Sequence, residues 1–448
     1  MRHQLILRNG TVLTQMGRVE ADVTVDNGRI RAIGRASGEA ETEIDASGLH
    51  VLPGAIDTQV HFREPGMTHK EDLATGTAGA VLGGVTTIFE MPNTKPNTVS
   101  AAALEEKLKL ARGRAWCDHA FFVGATPENA DQLAELERLP GAAGVKIFMG
   151  SSTGTLLVED DETVLQVLRN GRRRAAVHAE DEHRMRERLA LVREGAGVAM
   201  HPVWRDVETA LKATHRVVRL ARAAGRRVHV LHVTSAEEAA FLAEHKDIAS
   251  MEVTPQHLTL AAPECYERLG TLAQMNPPIR EARHREALWQ AVRQGVVDCI
   301  GSDHAPHTRE EKAKPYPQSP SGMPGVQTLL PLLLDHMNAG RLTLERVVDL
   351  TSAGPARIYG INGKGRIAVG CDADLTLVDL KAERCIEAKR MATKCGWTPF
   401  DGMKVKGWPV ATILRGAVAM REGELIGTAA GRPVRFDDTL MPAANSAD

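Results

Sequence analysis

Five residues of this chain have types and positions suited to metal chemistry: His61, Lys146, His178, His232 and Asp303. His61 closes the run Asp57–Val60, Lys146 lies inside Val145–Met149, and His178 ends Ala175–Val177. His232 ends Val228–Leu231, and Asp303 follows Cys299–Ser302. A single histidine at the end of an apolar run is more often a hydrogen-bonded structural residue than a ligand. Five such ends are better explained by convergence on one rim, because burying an unpaired, charged His or Lys costs several kcal/mol. Imidazoles and a carboxylate suit zinc, with manganese, cobalt or iron less favoured. Lys146 is the odd member, since an ammonium of ordinary pKa about 10.4 cannot bind a cation. A neutral lysine reacts with carbon dioxide to give a carbamate, an anionic two-oxygen ligand able to bridge two metals. An ion pair with a nearby carboxylate is the equal alternative.

The elements that must position these residues alternate. Short apolar strands (residues 88–91, 144–148, 175–178, 228–232 and 297–300) are separated by helical stretches such as Ser100–Gly113, Pro127–Arg138, Ser235–His245 and Glu281–Gln294. Close to eight such units over about 300 residues predict an α/β fold, a (β/α)8 TIM-like barrel over 53–362, with the chemistry at the C-terminal strand ends. Residues 4 to 50 read as short strands, with turns expected at Asn9-Gly10 and Asn27-Gly28. The same grammar returns after 364 in Gly365–Gly370, Ala373–Asp379 and Ala411–Gly416. The ends of the chain, 1–52 and 363–448, are therefore expected to form one small β-sandwich domain. The Ser/Ala-rich tail after Asp437 is expected to be loosely ordered.

The chain has 448 residues and a formal net charge of −2, which gives no support to nucleic-acid or anionic-membrane partners. No apolar run reaches transmembrane length and no signal peptide is visible, so a cytoplasmic location is expected. Six scattered cysteines without a CxxC pair suggest reduced core or surface thiols, not a disulfide frame or metal ligands.

The string Pro53-Gly54-Ala55-Ile56-Asp57, continued by His61-Phe62-Arg63-Glu64-Pro65-Gly66, resembles the amidohydrolase superfamily, in its cyclic amidase branch, and there the dihydroorotase family. So do Met91-Pro92-Asn93-Thr94, Gly144-Val145-Lys146-Ile147-Phe148, His178-Ala179-Glu180, His232-Val233-Thr234-Ser235, Met275-Asn276-Pro277-Pro278 and Ser302-Asp303-His304-Ala305-Pro306-His307. The resemblance implies one or two Zn2+ per chain, held by His61, Lys146 as N6-carboxylated lysine, His178, His232 and Asp303. It implies attack of a metal-bound hydroxide on a ring amide, with Asp303 as general base and then general acid. The reaction would be the reversible hydrolysis of (S)-dihydroorotate to N-carbamoyl-L-aspartate, in de novo pyrimidine synthesis. Arg63, a planar fork suited to a carboxylate, would bind substrate together with Asn93, Asn276 and His307. Gln59 stands where most relatives have a second histidine, and its amide oxygen implies a weaker metal position there. Gln256 replaces a residue that is often His. Segments 151–154 and 309–321 are candidate loops at the site, the second either a cover or an exposed barrel loop. Two alternatives accompany this reading: another cyclic amidase (a hydantoinase or allantoinase), and a non-catalytic subunit supporting aspartate transcarbamoylase. A homodimer is the family expectation.

Overall fold

The computed structural model describes residues 2–152, 155–192 and 195–440. Its centre is an eight-stranded parallel sheet whose strands neighbour one another in chain order. To number the strands from the N-terminus, those of the first segment are β1 (Arg2–Thr14), β2 (Gly17–Asp26), β3 (Arg29–Gly34), β4 (Glu39–Asp45) and β5 (His50–Pro53). The central sheet is β6 (Ala55–Val60), β7 (Val85–Glu90), β8 (Asp118–Gly124), β9 (Ala142–Phe148), β10 (Ala175–His178), β11 (Val228–Val230), β12 (Ala249–Val253) and β13 (Cys299–Ile300). Alternation along these strands sorts their side chains. Val145 and Ile147 of β9, Val177 of β10, Val228 and Val230 of β11 and Met251 and Val253 of β12 join one core with Val164, Leu168, Val217 and Leu220 of the surrounding helices. The residues between them, including Lys146, Ala176, His229 and Glu252, face the other way, into the barrel. Phe89, Phe122, Tyr359 and Phe436 meet edge to face within one buried cluster.

The helices between the strands start at polar caps. Ser235 and Glu238 form a capping box three residues after His232, Asp206 accepts from the backbone of Thr209, and Asp160 from that of Thr163. The expected helix Pro127–Arg138 is broken into a turn of 3-10 helix at Pro127–Asn129 and a short helix at Leu133–Leu136. The Asn129 amide explains the break, because it donates to Val99 O and Gly124 O and ties the turn to the end of β8. The seam between β13 and β6 has little pairing. It is bridged by Val60 and His304, with His61 N donating to His304 O at 2.7 Å.

The two ends of the chain build a second, nine-stranded sheet, which adds β14 (Leu375–Cys385), β15 (Lys404–Leu414), β16 (Ala417–Arg421) and β17 (Glu424–Leu425) to β1–β5. β14 pairs with β5, which joins the C-terminal strands to the N-terminal ones. The sheet encloses one apolar core, in which Val23, Val25 and Ile30 meet Leu377, Ala411 and Ile413. Asn27 and Gly28 turn β2 into β3 with φ of 51° and 76°, as their types dictate. Asn9-Gly10 is not a turn: β1 runs through it as one strand, and the pair is absorbed as an irregularity in the register against β2, with Asn9 at φ 59°. Gly365–Gly370 is a loop and not a strand; the backbone beyond it pairs with β3, Ile30 N donating to Cys371 O. Among the described residues no helix is long and apolar enough to cross a membrane.

Candidate active site

At the C-terminal mouth of the barrel lies a cavity of about 360 Å³. Gln59, His61, Arg63, Asn93, Lys146, His178, His232, Asn276 and Asp303 all line it. Each arrives as the local chain dictates. Gln59 belongs to β6 and His61 follows its last residue, Lys146 lies within β9, and His178 ends β10. His232 and Asp303 sit past β11 and β13, where the backbone turns left-handed at φ 38° and 45°; Arg63 does the same at 65°. Such conformations cost a non-glycine residue ~1–3 kcal/mol and persist where surrounding bonds impose them.

The hydrogen bonds fix which ring nitrogen of two histidines is free to bind. His178 Nε2 donates to Glu180 Oε2 at 2.7 Å, which leaves Nδ1 as a lone pair 3.0 Å from His232 Nε2. His61 Nδ1 donates to Asn93 Oδ1 at 2.8 Å, so its Nε2 lone pair faces Asp303 Oδ1 at 3.2 Å. Burial lowers the pKa of all three imidazoles, most strongly at His232, where His178 and Lys146 add to the effect. Neutral imidazole is the form that binds metal. Burial pushes the Glu180 carboxyl up, but Arg205 and His178 overcome it and hold it well below the ordinary range. Arg205 grips Glu180 through both Nε (3.0 Å) and Nη2 (2.5 Å).

Gln59 is turned so that its amide nitrogen donates to Asp303 Oδ1 at 3.1 Å. Its Oε1 is buried without a hydrogen-bond partner, as is His232 Nδ1. The His178 lone pair beside His232, the His61 lone pair facing the Asp303 carboxylate, and an amide oxygen and a ring nitrogen buried without partners fit a cation site. Lys146 is 1% exposed, with Nζ 4.5 Å from the centre of the Phe148 ring. Burial lowers its pKa from 10.5 to about 7, against the pull of Asp303 and Glu252. The amine therefore has a substantial neutral fraction near neutral pH, the form that adds carbon dioxide.

On the other side of the cavity, Arg63 is 1% exposed and its Nε donates to Pro306 O at 3.2 Å. Among the described residues no carboxylate forms an ion pair with it, and burial lowers its pKa from 12.5 to about 10. His307 lies behind Arg63 and outside the cavity lining. Lys70 Nζ, which only donates, approaches His307 Nδ1 at 3.0 Å, so Nε2 carries the proton and donates to Ser321 O. Arg63 Nη2, 3.2 Å from that Nε2, meets no acceptor there. Asn276 Oδ1 accepts from His201 Nε2 at 2.9 Å. Ser152 lines the cavity, whereas Thr153 and Gly154 lie outside the described residues. The 309–321 segment opens with a short helix, Arg309–Lys312, whose buried Lys312 Nζ donates to Gln274 O and Pro320 O and pins the loop to the barrel.

Sequence reasoning assigned no role to Glu180 and Arg205. The signal for Glu180 was present, a carboxylate two residues beyond a ligand-type histidine. Arg205, 25 positions further on, carried none.

A barrel with histidines, a buried lysine and an aspartate converging at its C-terminal mouth belongs to the metal-assisted hydrolases in its design. Comparison with known proteins gives the family. The amidohydrolase family pattern matches residues 50–419, and the chain belongs to that family, a generally metal-dependent one. A Halobacterium salinarum protein named dihydroorotase is 39% identical over 427 residues, covering 94% of this chain and 97% of that one. A Solibacter usitatus protein named allantoinase is 36% identical over 462 residues, covering 99% and 98%. The solved structure of an L-hydantoinase (dihydropyrimidinase) from Arthrobacter aurescens aligns with a TM-score of 0.92 at 30% identity, covering 96% and 99%. This chain is a cyclic amidohydrolase.

Proposed function

We propose that this cyclic amidohydrolase is a dihydroorotase, opening (S)-dihydroorotate to N-carbamoyl-L-aspartate and closing it in reverse. The observation that carries the reading is Arg63, a buried guanidinium in the cavity wall with no carboxylate paired to it among the described residues. A substrate with a carboxylate beside its ring supplies the missing anion, and the planar fork binds it through two parallel hydrogen bonds. Hydantoin and allantoin carry no such group. In this reading Asn276 faces the ring and Asn93 helps Arg63 hold the carboxylate, while His307 stands behind Arg63.

His178, His232, carboxylated Lys146, His61, Asp303 and, more weakly, Gln59 would hold one or two zinc ions. Bound there, zinc would polarise the ring carbonyl and make water acidic near neutral pH. Glu180 keeps His178 in the ligating tautomer, and Asn93 does the same for His61. Asp303 takes a proton from the attacking water and delivers it to the leaving ring nitrogen, while Gln59 orients its Oδ1. The proposal includes a cytoplasmic homodimer and association with aspartate transcarbamoylase. A purely supporting role is disfavoured by retention of all five ligand-type residues in one cavity.

The test is steady-state hydrolysis of L-dihydroorotate, hydantoin and allantoin by the purified protein, with metal content measured on the same sample. A kcat/KM at least ~10²-fold higher for dihydroorotate supports the reading. Preference for either of the other rings transfers the chain to that activity, and metal-loaded protein inactive on all three refutes the assignment.

A further inference from the structure

Deeper in the barrel, away from the cavity lining, lies a second group of ligand-type side chains: His229 of β11, Glu252 of β12 and Cys299 of β13. All three are 0% exposed. His229 Nε2 is 3.5 Å from Cys299 Sγ and 3.6 Å from Glu252 Oε2, and Sγ is 3.7 Å from that same oxygen. A tetrahedral zinc with Zn–S of about 2.3 Å and Zn–N and Zn–O of about 2.0–2.2 Å separates its ligand atoms by about 3.3–3.6 Å. The three atoms therefore already stand close to the edges of one face of that tetrahedron.

Their surroundings agree. His229 Nδ1 lies 2.7 Å from Ser250 Oγ; donating to that hydroxyl, it turns the Nε2 lone pair toward the other two. Glu252 Oε2 accepts from Thr58 of β6 at 2.5 Å, while Oε1 is buried with no hydrogen-bond partner. The Tyr359 hydroxyl, whose ring lies 5.6 Å from that of His229, is also buried without one. Gly301 leaves the space: a Cβ there would fall 2.5 Å from Glu252 Oε2.

We propose that His229, Glu252 and Cys299 form a structural site for a zinc-class divalent ion, separate from the catalytic centre. Binding displaces the thiol proton, and thiolate plus carboxylate neutralise the dication. The site joins β11, β12 and β13 and, through Thr58, reaches β6 across the sparsely paired seam of the barrel. Being enclosed, it is filled as the chain folds and not by later exchange. The proposal stands apart from the choice of substrate.

The cavity site offers nitrogen and oxygen ligands only, so sulfur distinguishes the two. The full chain is produced in cobalt-supplemented medium, and its exposed Cys385 is alkylated before measurement. The expected result is a thiolate-to-cobalt charge-transfer band in the near ultraviolet, together with a sulfur scatterer at about 2.3 Å in X-ray absorption. Cys299→Ser loses both signals and one equivalent of metal per chain. Wild-type protein with cobalt bound but no sulfur scatterer overturns the site, whether or not the variant folds. Equal metal content and equal spectra in wild type and C299S overturn it too.

Discussion

Replacing Arg63 with methionine separates substrate recognition from everything else the cavity does. The side chain is buried, and lowering its pKa from 12.5 to about 10 corresponds to about 3 kcal/mol at 1.36 kcal/mol per tenfold change in proton affinity. Its folded-state pKa is depressed, so the folded protein pays this in full below pH 10 and is relieved only as pH rises from 10 toward 12.5. At pH 7, R63M therefore loses an unfavourable desolvation, and its thermal stability should equal or exceed that of the wild type. Binding should move the other way. Truncating one partner of a buried, hydrogen-bonded charge pair costs about 2–5 kcal/mol, which is ~30- to ~5,000-fold in kcat/KM for dihydroorotate. Dihydrouracil is the same ring without the carboxylate, and its kcat/KM should change little. The assay is the ratio of the two specificity constants, wild type against R63M, alongside melting curves at pH 7. Equal losses on both rings would refute the reasoning, since Arg63 would then be shaping the cavity and not reading an anion.

Other perturbations follow from the same geometry. In metal-free, uncarboxylated protein, Lys146 costs stability because burial lowers its pKa to about 7. K146M should thus exceed apo wild type by up to about 5 kcal/mol at or below pH 7, with the gain fading toward pH 10.5 in denaturant titrations. The same variant should lose at least ~10³-fold in activity and fail to retain metal at the cavity, read by elemental analysis after desalting. Glu180→Gln releases the His178 tautomer and should weaken metal affinity ~10–100-fold in chelator competition; unchanged affinity would remove Glu180 from the support of the site. Gln59→His exchanges an amide oxygen for imidazole, and should raise the chelator concentration needed to strip the more weakly held metal without altering the firmer one.

The residues that line the cavity stood out because each lies within or just past an apolar run, and within a strand the period of two decides direction. Val145 and Ile147 must face the helices, so Lys146 must face the barrel. What the residue pattern did not carry was contact at a distance. Arg205 reaches Glu180 from the chain just before a helix that starts at Val207, and no spacing rule links the two. The same holds for His229, Glu252 and Cys299, which read singly as core residues and gain meaning from their mutual distances. His307 shows a different limit. Its string placed it at the mouth, but only the Lys70 and Ser321 bonds show its ring turned behind Arg63. Local rules failed at Asn9-Gly10, where the hairpin signal is real but β1 finds partners on both sides and continues through it.

The junction of β5 with β14 also has a consequence for synthesis. Val51 pairs with Leu377, so an edge made at the start of translation waits for its partner until almost the entire chain has emerged. The roughly 330 intervening residues take ~15–65 s at about 5–20 residues per second. Throughout that interval β5 presents unpaired amides and carbonyls on the ribosome, the template on which strands of different chains pair. A stall or premature stop ahead of Leu375 therefore yields a sticky edge as well as a shortened protein, and chaperone occupancy of the first 53 residues should last until β14 is made.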